Sequence, residues 1–183
     1  IIASLETINY LLEHEAIVIL MSHLGRPDGQ KNPDYFFKIV KKELDKLIKK
    51  NVQFVPDCIG DSRDNVVSKA KNGDVILLEN VRFYQEEETN DTLFAQKLAR
   101  GCDLYVNDAF SSSHRAHASV VGVAKHLTAY AGLALQKEVD HLSRLLKAPE
   151  RPFVFISGGA KISDKLGILD NMLSKIDTLL IGG

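Results

Sequence analysis

Short, β-branched apolar runs alternate along this chain with longer stretches of helical periodicity, and that alternation narrows the choice of fold more than any other feature. The runs fall at 17–21, 52–55, 75–78, 104–106, 153–156 and 178–181. They are continuous, with no in-and-out alternation, as expected of parallel strands covered on both faces. Between them, apolar spacing predicts helices over 4–13, from Pro33 onward, and over 61–71, 92–99, 119–125, 135–146 and 163–175. Asn32-Pro33 reads as an N-cap followed by proline at the first helical position, with Phe36, Ile39, Val40, Leu44, Leu47 and Ile48 at helical spacing beyond it. Asp61 is the expected cap of the next helix. Strands and helices in this order imply an α/β fold, an open parallel sheet with helices on both faces and right-handed crossovers.

A break comes at Ala148-Pro149-Glu150-Arg151-Pro152, where two prolines in four residues forbid a regular helix. The 183 residues suit one domain, or one and part of another, and are enough to bury a core without metal or disulfide staples. The expected organisation is a first domain over 1–133, a connecting helix and linker over 134–150, and the start of a second domain over 151–183. The chain opens on Ile1-Ile2 without an initiator Met and stops on Gly182-Gly183 directly after an apolar run. A segment cut at both ends is expected.

Charge and cysteine content exclude several classes. With 23 Lys+Arg against 24 Asp+Glu, the net charge of −1 argues against an overall basic nucleic-acid binder, while leaving room for a local basic pocket. Cys58 and Cys102 form no CxxC and read as reduced thiols of a cytosolic protein. No apolar run approaches the ~18 residues a membrane span needs. Ile1-Ile2-Ala3 has neither the basic flank nor the long apolar stretch of a signal peptide. A cytoplasmic protein with no nucleic-acid or membrane partner is expected.

Ligands of open α/β sheets bind beyond the carboxyl ends of the strands, so the segments after the apolar runs carry the chemistry. They are Ser22-His23-Leu24-Gly25-Arg26-Pro27, Glu79-Asn80-Val81-Arg82, Asn107-Asp108-Ala109-Phe110 running on to His114-Arg115-Ala116-His117, and Ser157-Gly158-Gly159-Ala160-Lys161. Three of the four carry an arginine. Guanidinium groups grip phosphate and carboxylate bidentately, so Arg26, Arg82 and Arg115, with nearby histidines, read as a cradle for a small, multiply negative molecule. The alternative is that each arginine pairs with a local acid: Asp28 with Arg26, Glu86 with Arg82, Asp108 with Arg115. His114 and His117 have a spacing that could hold zinc, but no further ligand stands at a matching interval. His14, His126 and His141 read as surface residues. Gly158-Gly159 lets backbone N–H groups approach a phosphate, and Lys161 and Lys165, four apart, share a helical face. The segment is not a Walker-type loop.

These strings, in this order, resemble phosphoglycerate kinase over the whole chain. The segments that carry the resemblance are Ser22-His23-Leu24-Gly25-Arg26-Pro27, Leu77-Leu78-Glu79-Asn80-Val81-Arg82-Phe83, Val106-Asn107-Asp108-Ala109-Phe110, His114-Arg115-Ala116-His117-Ala118-Ser119 and Gly158-Gly159-Ala160-Lys161. The resemblance implies a Rossmann-like fold of the phosphoglycerate kinase type, with two α/β domains joined by a helix. The first would bind 3-phosphoglycerate or 1,3-bisphosphoglycerate, the second Mg-ADP or Mg-ATP, and hinge closure would bring them together for glycolytic phosphoryl transfer. It implies glycerate binding by His23, Leu24, Gly25, Arg26, Arg82 and Arg115. Gly158, Gly159, Lys161 and Lys165 would bind nucleotide, with Lys161 and Arg115 serving the transferring phosphoryl group. Mg2+ would come with the nucleotide, its protein ligands lying outside this chain, and no metal ligand is assigned within it. The acceptor carboxylate is ionised at pH 7, so no general base is needed; charge neutralisation and alignment are.

There are departures from the family pattern. Its N-terminal Asp-x-Asn-Val-Pro strand is absent, and a family arginine that contacts the transferring group would fall just before Ile1. Glu6 stands where proline is usual, and Ser111-Ser112-Ser113 replaces Gly-Thr-Ala. Most of the nucleotide domain would lie beyond Gly183. The expectation is an incomplete segment of a kinase, inactive alone. The alternative is a stand-alone domain that binds phosphoglycerate without catalysis.

Overall fold

A computed structural model describes residues 1–159 and 166–182. The chain divides into two compact units, Ile1–Gln136 and Lys137–Gly183.

The first unit is built on parallel strands. β1 (Val18–Leu20) and β2 (Val52–Val55) both pair in parallel with β3 (Val75–Leu78), giving the order β1-β3-β2. β4 (Leu104–Asn107) and β5 (Thr128–Ala131) form a second parallel pair. β3 is buried at all four positions and feeds two cores. Val75 and Leu77 pack with Ile8, Leu44 and Ile48 from α1 (Leu5–Glu13) and α2 (Lys38–Ile48). Ile76 and Leu78 pack with Phe94, Ala95 and Leu98 from α5 (Thr92–Ala99), with Val66 and Val67 of α3 (Asp61–Val67) alongside. Successive strand residues point to opposite faces, so an unbroken apolar run supplies both cores at once. α4 (Gln85–Glu88) is a single turn between β3 and α5.

α6 (Leu133–Lys147) starts within the first unit, and its first free N–H groups are taken up by side chains from two other elements. Leu133 N–H donates to Thr7 Oγ1 at 2.9 Å, and Ala134 and Leu135 donate to Asp108 Oδ1 at 2.9 and 3.1 Å. Gly132 has no room for a side chain, since a Cβ there would overlap the Asp108 carboxylate. In the second unit β6 (Val154–Ser157) pairs in parallel with β7 (Thr178–Ile181), and α7 (Leu166–Leu173) lies between them in sequence. Asp177 accepts the Phe153 N–H at 2.6 Å and pairs with Arg151 at 2.9 Å.

Several local expectations are corrected. The helix foreseen from Pro33 is a 3-10 turn over Pro33–Tyr35 that stops at extended Phe36, and α2 begins only at Lys38. Asn32 does cap that turn, through Asp34 N–H. The break has a tertiary cause: Phe37 is 1% exposed, and its N–H donates to the Glu79 carboxylate. Asp61 is not a cap; Gly60 holds that place at φ +89°, and α3 ends at Val67, short of Lys71. The helix expected over 119–125 is a π-type turn, Ala118–Gly122, followed by a 3-10 turn, Val123–Lys125. β5 had no counterpart among the apolar runs. Of the helix expected over 163–175, positions 163–165 lie outside the described residues.

Candidate anion-binding site

β3 runs straight into Glu79-Asn80-Val81-Arg82-Phe83, and these five residues fasten the loop that follows β1. Glu79 Oε1 accepts the N–H groups of Phe37 and Asn80 at 2.9 and 2.7 Å. The Asn80 side chain accepts from Arg82 N–H at 3.1 Å and donates to the carbonyls of Leu24 and Tyr35 at 2.8 and 3.2 Å. Both residues are buried, where polar groups must find partners. Arg82 Nη1 donates to Gly25 O at 3.0 Å. Gly25 sits at φ +68°, and a Cβ would overlap the Tyr35 ring, so backbone and space both require glycine.

Arg82 is buried and held from the other side by Glu88, whose Oε1 lies 3.3 Å from Arg82 Nε. That contact is an ion pair without hydrogen-bond alignment, since Nε has no hydrogen-bond partner. The neighbouring Glu87 is 2% exposed. It accepts Ser119 N–H at 2.8 Å and Ser119 Oγ–H at 2.5 Å, and its Oε1 lies 3.7 Å from His117 Nδ1.

The loop after β4 closes on its own short side chains. Asn107 Oδ1 accepts Ala109 N–H, and the hydroxyls of Ser112 and Ser113 donate to Ala109 O. Arg115 N–H donates to Ser112 O at 2.9 Å. The Arg115 guanidinium is exposed and makes no ion pair or hydrogen bond among the described residues.

His23 marks where these segments meet. Its ring reaches solvent, yet the protein packed around it lowers its pKa, and so do Arg82, His117 and Arg115 in that order; Glu88 opposes them. Desolvation and like charge both disfavour a further proton. Two arginines and a second histidine therefore stand close enough to act on His23, with one carboxylate in partial compensation.

The sequence-derived candidates divide accordingly. The structure brings His23, Arg82 and Arg115 together. Leu24 and Gly25 lie on the same loop, where their carbonyls serve Asn80 and Arg82. Arg26 lies beside them, exposed and without an ion pair among the described residues, but it is not among the groups that shift His23. Gly158 and Gly159 follow β6, with Gly159 at φ +116°. Lys161 and Lys165 lie outside the described residues. None of the three local pairs considered for the arginines forms. Arg82 meets Glu88 instead of Glu86, Asp108 caps α6, and Asp28 makes no ion pair among the described residues. His117, weighed by name as a metal ligand and otherwise counted among the histidines near the arginines, is one of the groups that act on His23. Among the described residues no three His, Cys, Asp or Glu side chains are grouped to hold a metal. Glu87 and Glu88 went unremarked; the acidic triplet after Arg82 was visible, but not which member turns inward.

Comparison with known proteins gives one consistent answer. The family model for phosphoglycerate kinase matches residues 1–183. The phosphoglycerate kinase of Borreliella burgdorferi is 52% identical over 181 residues, covering 99% of this chain and 46% of that protein. That of Moorella thermoacetica is 53% identical over 181 residues with the same coverage. Among solved structures, phosphoglycerate kinase from Coxiella burnetii matches with a TM-score of 0.85 at 38% identity, over 100% of this chain and 46% of its own. The Pyrococcus horikoshii enzyme matches with a TM-score of 0.88 at 33% identity, over 99% and 46%. The chain thus spans about half the length of the relatives it matches.

Proposed function

The chain belongs to the phosphoglycerate kinase family, and on that footing we propose that it is the phosphoglycerate-binding part, with the beginning of the nucleotide-binding part, of an enzyme that transfers a phosphoryl group between 1,3-bisphosphoglycerate and ADP. What supports this reading is the family match over the whole chain, with the loop after β1 fastened by Asn80 and Arg82 and the His23 pKa lowered by packing and then by Arg82, His117 and Arg115. In the direction of ATP synthesis, an oxygen of the ADP terminal phosphate attacks the acyl phosphorus. The bond from phosphorus to the acyl oxygen breaks, and the electron pair leaves with the carboxylate. No proton moves, because that carboxylate is ionised at pH 7 (carboxyl pKa about 4).

The residues of this chain then bind and orient. Arg82 is fixed by Gly25 O and Glu88 before any ligand arrives, so little side-chain freedom is lost on binding. The Arg115 guanidinium makes no ion pair or hydrogen bond among the described residues and is available to pair with phosphate or carboxylate. Arg26 extends the cationic loop. Gly158, Gly159, Lys161 and Lys165 are assigned to the nucleotide phosphates, and Lys161 with Arg115 to the charge of the transferring group. Mg2+ would accompany the nucleotide and neutralise phosphate charge, held by groups outside this chain; no step here is routed through it. The same reading makes the protein a cytoplasmic glycolytic monomer. Among the described residues no helix is long and apolar enough to cross a membrane.

The test is turnover in a full-length family enzyme carrying this segment. ADP and 1,3-bisphosphoglycerate should yield ATP, and Arg26→Ala should weaken phosphoglycerate binding with nucleotide affinity nearly unchanged. No turnover, or an equal loss of both affinities, would overturn the assignment.

A further inference from the structure

Glu87 is a buried carboxylate that the proposed chemistry does not use. Burying a charge is costly unless it is paired and hydrogen-bonded, so its partners indicate what it does. All three belong to one turn: Ser119 N–H, Ser119 Oγ–H and, at 3.7 Å, His117 Nδ1. The backbone of that turn is closed from the His117 carbonyl, which accepts the N–H groups of Val120 and Val121 at 3.1 and 2.8 Å. His117 is therefore held at its carbonyl by its own turn, its ring lies 3.7 Å from Glu87 Oε1, and it is 9% exposed.

Adjacent residues of a helix point about 100° apart. In α4 this separates three consecutive glutamates. Glu86 is exposed, Glu87 enters the protein beneath the 117–119 turn, and Glu88 meets Arg82. One helical turn thus reaches Arg82 and the His117 ring through neighbouring carboxylates. His117 in turn acts on His23.

We propose that Glu87 is a positioning residue for the anion site, holding the 117–119 turn and with it the His117 ring at the end of the segment that carries Arg115. It touches no substrate and acts through His117. The inference rests on reading the His23 cluster as the phosphoglycerate site.

A double-mutant cycle in a full-length family enzyme carrying this segment tests it. The variants are Glu87→Gln, His117→Gln and the pair, with Glu86→Gln as a control of equal charge change. Residues in one network couple measurably. Glu87→Gln should weaken 3-phosphoglycerate binding about tenfold and leave the nucleotide KM unchanged, but should weaken it less than about twofold further once His117 is glutamine. Glu86→Gln should have no effect. An equal loss in both backgrounds, or a parallel rise in both substrates' KM values, overturns the proposal. Should Glu87→Gln fail to fold, Ser119→Ala is the milder probe. It keeps the carboxylate and removes one donor, and its loss of affinity must likewise shrink in the His117→Gln background; an additive loss overturns the proposal. If the unaltered enzyme does not bind 3-phosphoglycerate at all, the site reading fails and this inference with it. Binding with additive losses removes the inference alone.

Discussion

His23 carries the site's electrostatics in its own titration. Packing around the ring, then Arg82, His117 and Arg115, lower its pKa, and Glu88 opposes them. In the unfolded chain it titrates near ~6.5. Between the lowered folded value and ~6.5 the unfolded chain holds a proton that the folded protein lacks. Stability from this group therefore falls as pH drops through that window and levels off below it. A bound anion cancels the repulsion, so 3-phosphoglycerate binding near pH ~6 should take up a proton. Calorimetry in buffers of different ionisation enthalpy measures this, and proton release would contradict it. Asn80 gives a second prediction at this scale. Asn80→Ala strips partners from Leu24 O, Tyr35 O and Arg82 N–H. Only Arg82 N–H is fully buried among these, so the change should lower unfolding stability by about 2–3 kcal/mol, ~1–3 kcal/mol for the buried group and less for the two carbonyls nearer solvent, and weaken 3-phosphoglycerate binding as the loop loosens. Urea unfolding and calorimetry check the two effects; unchanged stability would show that the loop is held by other means. The residue types of the site were legible because they follow apolar runs. Their division of labour was not. Asn80 and Glu79 hold backbone from forty or more positions away in sequence, and no local pattern shows that.

At the scale of elements, the start of α6 depends on Thr7 and Asp108. Asp108→Ala leaves two N–H groups without their acceptor and should cost about 1 kcal/mol, the usual loss of an N-cap, seen as a lower thermal midpoint. Asp108→Asn keeps an acceptor oxygen and should cost less; equal losses would argue against the capping role. Element type was read correctly where burial is two-sided: β3 is apolar throughout because both its faces are covered. β5 escaped because Thr128-Ala129-Tyr130-Ala131 is exposed at every position and makes no apolar run. The helix foreseen from Pro33 is interrupted because Glu79 takes the Phe37 N–H, so a tertiary bond overrode local propensity. Asp61 had the chemistry of a cap, but Gly60 offered the backbone geometry.

For the molecule as a whole, the cluster around His23 lies in the compact unit Ile1–Gln136 and the glycine-rich segment after β6 in the unit Lys137–Gly183. The family was legible from short strings that hold backbone and charge together, while composition and periodicity pointed only to an α/β chain. In a full-length family enzyme carrying this segment, Lys161→Ala should depress kcat more than it weakens ground-state binding, because the lysine is assigned to charge that develops during transfer. Loss of affinity alone would make it a binding residue.

The central claim is that the cluster around His23 exists to hold a small, multiply negative molecule. Arg115 tests it most cleanly, because its guanidinium makes no ion pair or hydrogen bond among the described residues, so removing it should leave the fold intact. Calorimetric titration with 3-phosphoglycerate should show at least about a tenfold loss of affinity for Arg115→Ala, the scale of one charge-assisted contact, with an unchanged thermal midpoint. Affinity equal to that of the unaltered protein would contradict the account.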